Sequence, residues 1–93
     1  MEVKQAFGIA LRNARVRRGL TQEDFYDISS RTYISTLERG LKNVTIDKAA
    51  ALAERTGVHP LTLIIETFLI LDPTVNLASL IRQVQEEMEA ASK

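Results

Sequence analysis

The sequence TQEDFYDISSRTYISTLERG, residues 21–40, decides the fold of this chain. Thr21 is a good N-cap and Asp24, three residues later, is a weaker capping-box partner, so a helix is predicted to begin at Gln22. That helix must be short, because the serine pair at 29–30 is predicted to cap the start of the next helix. Two short helices in close succession are therefore expected within these twenty residues.

The second of these short helices is predicted to run from about 31 to 39, with Ile34 and Leu37 facing inward and Gly40 ending it. Its outer face is small, polar and basic. A helix with its side chains is about 10–12 Å across, and the major groove of DNA is about 12 Å wide, so this face suits the reading of duplex DNA. The outward-facing residues are Arg31, Thr32, Ser35 and Thr36.

Helical signals also dominate the rest of the chain. Apolar residues at spacings of four, four and three predict a first helix over about 3–18, ended by Gly19. Thr45 and Gly57 delimit a fourth helix over about 46–56. A fifth is expected from Pro60 to about Leu71, and a sixth from about 74–76 to about 91. The predicted fold class is all-α, and the stripe of the first helix consists of Val3, Phe7, Leu11 and Ala14.

Composition excludes several classes of function. The 93 residues suffice for one domain, they include no cysteine for disulfide or thiolate chemistry, and a single histidine makes a metal cluster improbable. No nucleophile-elbow glycines or phosphate loop are present, so we expect no enzyme, cofactor or metal. The longest apolar run, 61–71, is too short to span a bilayer, and no secretory signal opens the chain, so a cytoplasmic protein is expected.

Charge is distributed unequally although the net charge is zero. Residues 1–50 contain nine basic and six acidic groups, hence +3, whereas residues 51–93 contain three basic and six acidic groups, hence −3. This polarity indicates that one half of the chain meets an anionic partner.

A set of short motifs extends over about two-thirds of the chain. The motifs are Phe7-Gly8, Leu11-Arg12, Arg15, GLTQE at 19–23, RTYIS at 31–35, LERG at 37–40 and Gly57-Val58 with Pro60. With these motifs the sequence resembles the Cro/phage-repressor (XRE-type) helix-turn-helix family. That resemblance implies a five-helix, lambda-repressor-like domain that binds duplex DNA as a dimer and represses or autoregulates transcription. Small controller proteins of restriction–modification systems in this family are similar in size.

The resemblance also implies roles for individual residues. Gln22 matches a position that contacts the DNA backbone and braces the reading helix. Base-reading positions match Arg31 and Thr32, then Thr36 one turn later with Ser35 between them; for Arg31, a phosphate contact or a solvated side chain stays an alternative. The other backbone candidates are Tyr33, Arg39, Lys42, Asn43, Arg12 and Arg18, and the arginines of the first helix are equally consistent with solvated side chains. Arg15 and Glu38 match a structural ion pair.

One departure from the family pattern concerns the turn between the two short helices. Two residues, including a turn glycine, are missing, and Tyr26 stands where a small residue normally packs. We therefore expect a shortened second helix, with Ile28 taking the apolar role of the missing turn residue.

The C-terminal part of the chain has more apolar surface than a monomer of this size can cover. We therefore assign residues 1–71 to the DNA-binding domain and 72–93 to a dimerisation helix. The alternative is that the sixth helix folds back on the fifth helix of its own subunit, and a swapped arrangement satisfies both. The predicted homodimer interface consists of Ile65, Phe68, Leu69, Leu77, Leu80, Ile81, Val84 and Met88.

The predicted function is sequence-specific binding of a double-stranded DNA operator by a homodimeric bacterial or phage transcriptional regulator. No small-molecule ligand is evident. A protein-interaction module with a disabled helix-turn-helix is the alternative, because the turn is shortened, the net charge is zero and the C-terminal region is apolar.

Overall fold

A computed structural model describes residues 1–92, which form six helices and no strand. The all-α prediction is therefore confirmed. The short α2 is a 3-10 helix, and the other five are α-helices. The helices are α1 (Val3–Arg17), α2 (Gln22–Phe25), α3 (Arg31–Glu38), α4 (Ile46–Thr56), α5 (Pro60–Leu71) and α6 (Leu77–Ala91).

Local signals fix where the helices begin and end. The Ser30 hydroxyl accepts a hydrogen bond from the Tyr33 N–H at 3.1 Å and begins α3, and Thr45 does the same for the Lys48 N–H at 3.1 Å at the start of α4. Gly19 follows α1 with a φ of 72°, a left-handed conformation that other residues rarely adopt. The chain can therefore reverse direction between α1 and α2.

The core is formed by α1, α3, α4 and α5, with one large residue from α2. Ile34 and Leu37, the inward-facing residues predicted for α3, are buried, whereas Val3, expected on the apolar stripe of α1, is half exposed at the N-terminus. Sequence reasoning missed Phe25, which is fully buried, while the neighbouring Tyr26 is exposed. The largest fully buried apolar side chains are Phe25, Leu11, Ile34, Leu37, Leu52 and Leu63.

A glycine lets α1 pass close to the end of α3. A Cβ atom added at Gly8 would lie 2.4 Å from the Leu37 carbonyl oxygen and 2.7 Å from that of Glu38. Any side chain at this position would push the two helices apart. The end of α3 is thereby held against α1, two turns before Arg15.

The C-terminal helix α6 packs differently from the other five. None of its fifteen residues is buried, and only Leu80 is partly covered. The alternative in which this helix folds back and caps α5 of its own subunit is therefore not observed, because it buries no apolar stripe there. Among the described residues, no helix is both long enough and apolar enough to cross a membrane.

Candidate nucleic-acid interface

Burial of the inner face of α3 fixes the direction in which its outer face points. Ile34 and Leu37 are completely inaccessible to solvent and belong to the core. Because helical residues three and four apart share a face, the polar residues on the other side of α3 point away from the core. Arg31 and Thr32 are exposed there, and Ser35 and Thr36 are partly exposed.

Arg31 stands at the start of α3 with its guanidinium in solvent. Its Nη1 lies 3.6 Å from Glu23 Oε1, and the two side chains are 64% and 61% exposed. Such an exposed pair contributes less than about 1 kcal/mol, so an incoming base or phosphate can replace Glu23 at little cost. Thr36 donates its hydroxyl hydrogen to the Thr32 carbonyl at 2.7 Å, which leaves its methyl group and oxygen lone pairs for a partner.

A bidentate ion pair fixes the far end of α3. Arg15 donates from Nε and Nη2 to the two carboxylate oxygens of Glu38 at 2.7 and 2.8 Å, and from Nη1 to the Leu20 carbonyl at 3.0 Å. The hydrogen bonds to Glu38 raise the pKa of Arg15, against the smaller lowering effect of burial. Gln22 donates to the same carboxylate at 3.3 Å. The start of α2, the end of α1 and the end of α3 therefore meet at one carboxylate.

Two basic residues of α4 hold the shortened turn between α2 and α3. Lys48 Nζ donates to the Ile28 carbonyl at 2.9 Å and lies 5.7 Å from the centre of the Tyr33 ring. Arg55 donates to the Asp24 carbonyl and to the Asp27 carboxylate.

Sequence reasoning missed both of these basic residues. Lys48 and Arg55 are seven residues apart and therefore share one face of α4, but this spacing does not tell which part of the chain that face contacts. Ile28 packs against the core beneath this pair of contacts, in the apolar role expected for it.

The candidate backbone contacts fall into two groups. Around α3, Tyr33 is partly covered, while Arg39 at its C-terminus and Lys42 and Asn43 in the following loop are exposed. On α1, Arg12 is exposed.

Arg18 lies elsewhere, because its Nη1 would be only 2.6 Å from a Cβ atom at Gly57, in the turn after α4. The neighbouring Arg17 donates to Glu66 of α5 at 3.0 Å. The structure thus brings neither arginine to α3.

The residues predicted for a dimer interface lie on the surface of α5 and α6. Phe68 is 46% exposed, and Ile65 and Leu69 are partly covered. On α6, Leu80 is partly covered, and the remaining stripe residues Leu77, Ile81, Val84 and Met88 are exposed.

Two short helices in sequence, the second held with its polar face outward, define a helix-turn-helix protein. The sequence profile of the helix-turn-helix family matches residues 11–63. A relative from Sinorhizobium fredii, the uncharacterized HTH-type transcriptional regulator y4dJ, is 35% identical over 69 residues, which cover 72% of this chain and 90% of the relative. The chain belongs to the XRE-type helix-turn-helix family of DNA-binding transcription regulators.

Solved structures agree with this assignment. The clp gene regulator ClgR from Corynebacterium glutamicum superimposes with a TM-score of 0.70 at 26% identity, covering 98% of this chain and 90% of that one. The restriction–modification controller protein C.AhdI from Aeromonas hydrophila gives a TM-score of 0.61 at 32% identity, covering 64% of this chain and 94% of the other. The lambda-repressor-like fold is shared with these regulators.

Proposed function

We propose that this protein is a homodimeric, sequence-specific DNA-binding regulator that represses transcription by occupying promoter DNA. The observation that carries the proposal is the orientation of α3, whose apolar face is fully buried while Arg31 and Thr32 are exposed at its N-terminus. In helix-turn-helix proteins, the N-terminal residues of the second helix contact base edges in the major groove.

Each polar residue of α3 has a role in this proposal. Arg31 donates to the N7 and O6 acceptors of guanine, and Thr32 contacts the same or the adjacent base pair. Ser35 and Thr36 read one turn further along the groove. The phosphate contacts come from Gln22, Tyr33, Arg39, Lys42 and Asn43, with Arg12 as an outer contributor.

The C-terminal part of the chain supplies dimerisation. Residues 1–71 form the DNA-binding domain, and residues 72–93 together with the exposed surface of α5 join two copies. A two-fold axis then places two copies of α3 in successive major grooves, about 34 Å apart, on a roughly palindromic operator.

Selection from a random pool of duplex oligonucleotides tests the proposal directly. The expected product is a pair of inverted half-sites separated by about one helical turn, 10–10.5 base pairs from centre to centre. Enrichment of a single, non-repeated half-site would contradict the homodimer, and the absence of enrichment would contradict sequence-specific binding.

Salt dependence separates DNA binding from the interaction-module alternative. The affinity for the selected duplex is expected to fall with a log–log slope of about −0.9 for each phosphate neutralised. Replacing Lys42 with Gln lowers the magnitude of that slope by about one per contact, whereas replacing Arg17, which is paired with Glu66, leaves it unchanged. A duplex interaction that is absent or insensitive to salt would favour a protein-interaction module.

A further inference from the structure

The helix α6 carries an apolar stripe that its own chain leaves uncovered. Its five members recur at spacings of three and four, so they lie on one face of the helix. A helix of fifteen residues is marginally stable in water by itself and gains most of its stability by burying such a face. The stripe therefore needs a surface outside its own subunit. Its residues are Leu77, Leu80, Ile81, Val84 and Met88.

A matching apolar groove opens between α1, α4 and α5. It encloses about 180 Å³, and its lining is almost entirely apolar. Buried Phe7 and Ala49 belong to this lining, while Val3, Ile46 and Phe68 expose 50%, 82% and 46% of their surfaces. This volume is large enough for a few side chains but too small for a whole helix, which is about 10 Å across with its side chains. A bound helix would therefore lie over the opening and insert only its side chains.

We infer that this groove receives α6 of a second copy, so that each subunit of the dimer holds the C-terminal helix of the other. This inference rests on the proposed homodimer and extends it to the N-terminal residues of α1 and α4, which no other observation assigns to an interface. None of the residues that line the groove belongs to α6 of the same chain.

Charge supports a second copy as the occupant. The helix α6 has one arginine and three glutamates, Arg82 against Glu86, Glu87 and Glu89, for a net charge of −2. Lys4 is the charged residue among those that line the groove, so the lining has a net charge of +1. An acidic amphipathic helix and a basic-rimmed apolar groove are complementary.

Local hydrogen bonds order the short segment between α5 and α6. Asp72 Oδ1 accepts hydrogen bonds from the Thr74 N–H at 3.1 Å and from its hydroxyl at 2.6 Å, and Asn76 caps the first turn of α6 through the Ser79 N–H at 2.8 Å. These local bonds order the connection while leaving the stripe of α6 uncovered by its own subunit.

Cross-linking between single-cysteine variants tests the inference, because the chain contains no cysteine. Ile46→Cys and Val84→Cys proteins, one of them tagged, are mixed under reducing conditions, allowed to exchange subunits and then oxidised. A disulfide-linked heterodimer is expected in high yield. The matched control replaces Val84→Cys with Glu86→Cys, on the opposite face of α6, and should lower the yield at least several-fold.

Three outcomes would overturn the inference. Cross-linking of Val84→Cys alone as efficiently as the mixture would mean that α6 pairs with α6 of the other copy. A disulfide within one chain of the Ile46→Cys/Val84→Cys protein would place α6 on its own subunit. Equal yields from Val84→Cys and Glu86→Cys would show that α6 does not bind the groove through its apolar face.

Sedimentation and duplex binding by the same reduced variants separate this inference from the proposed function. Dimers that bind the selected duplex but fail to cross-link at Ile46 contradict only the groove assignment. Monomers at micromolar concentration contradict the homodimer, and loss of sequence-specific binding in the unsubstituted chain contradicts the DNA-binding proposal itself.

Discussion

The helices α3 and α6 are both amphipathic, but only α3 has its apolar face buried within its own chain. Ile34 and Leu37 of α3 have no solvent exposure, whereas Ile81 and Val84 of α6 remain about two-fifths exposed. Both helices begin with a side-chain N-cap, Ser30 for α3 and Asn76 for α6. Their local signals are therefore equivalent, and the difference lies in long-range packing.

This difference separates two kinds of functional surface. A helix whose apolar face is buried can offer its polar face at a fixed angle, which recognition of base edges requires. A helix whose apolar face is exposed offers that face itself, which is typical of a surface that associates with another protein. The following predictions test either the orientation and the outer face of α3 or the apolar surface near α6 and the segment that leads to it.

Removing the carboxylate at the end of α3 should have the largest effect. Glu38→Ala leaves Arg15 partly buried without its partner, since the two side chains are only 5% and 14% exposed, and should lower the free energy of unfolding by about 3–5 kcal/mol. Urea denaturation at fixed protein concentration measures this loss. The matched control, Glu66→Ala, removes the partner of the exposed Arg17 and should cost less than about 1 kcal/mol. Equal losses would show that the ion pair between Arg15 and Glu38 contributes no more to the free energy of unfolding than an exposed pair does.

A charge in the exposed apolar surface of α5 should dissociate the dimer. Phe68→Asp places a carboxylate where a second copy would bury it, and should raise the dimer Kd about 30-fold or more, equivalent to about 2 kcal/mol. Analytical ultracentrifugation measures the change. Val16→Asp, at an exposed apolar position of α1, is the control and should leave the Kd unchanged. A Phe68→Asp dimer that persists at micromolar concentration would contradict this interface.

Shortening the first side chain of α3 should weaken recognition without weakening the fold. Arg31→Ala removes the proposed bidentate contact to guanine and should cost about 1–2 kcal/mol per half-site while relaxing the preference at one base pair. Binding to a set of operators with single substitutions checks both effects. Glu23→Gln is the control, because it removes the exposed partner of Arg31 but no DNA contact. Unchanged selectivity in Arg31→Ala would show that another residue reads that base pair.

Removing one of the α4 contacts to the turn should have a smaller effect. Arg55→Met loses the bonds to the Asp24 carbonyl and the Asp27 carboxylate, so α3 is held less firmly relative to α2. Operator affinity should fall about threefold, or less than 1 kcal/mol, with the base preference retained. Fluorescence anisotropy with the selected duplex measures it. Glu54→Met, at the preceding exposed position, should leave the affinity unchanged, and equal effects of the two variants would contradict a role for the α4 contact.

The sequence predicts most of the fold because its signals are local. Thr45, Gly57 and Pro60 delimit α4 and α5, and the observed bounds of both helices agree with the predicted ones. The residue pattern also predicts that the polar face of α3 points outward, since the apolar positions Ile34 and Leu37 share the opposite helical face and are buried.

The missed features depend on contacts between distant parts of the chain. Phe25 and Tyr26 are adjacent aromatic residues in a short helix, and only the position of α2 against the core decides that Phe25 is buried and Tyr26 exposed. Lys48 and Arg55 reach back 20 and 28 residues or more to bond with the turn. No local pattern contains those distances.

The smallest predicted effect concerns the connection to α6, where the pKa of the Asp72 carboxyl lies below its ordinary value. The hydrogen bonds from the Thr74 hydroxyl and then from the Thr74 N–H favour the ionised form of this carboxyl. A carboxyl whose pKa is lower in the folded state stabilises that state above its unfolded pKa, and this contribution is lost as the pH falls through the folded value. The local order of the connection should therefore persist at neutral pH and weaken in acid.

Carbon-13 NMR titration of the Asp72 carboxyl group measures this pKa directly. Thr74→Val keeps the backbone N–H and the branched shape but removes the hydroxyl, so the pKa of Asp72 should rise part of the way to its ordinary value. An unchanged pKa in Thr74→Val would mean that the hydroxyl does not order the connection. Because these bonds join residues only two positions apart, the result should be the same in dimers and in Phe68→Asp monomers, which separates the local order before α6 from the burial of its stripe.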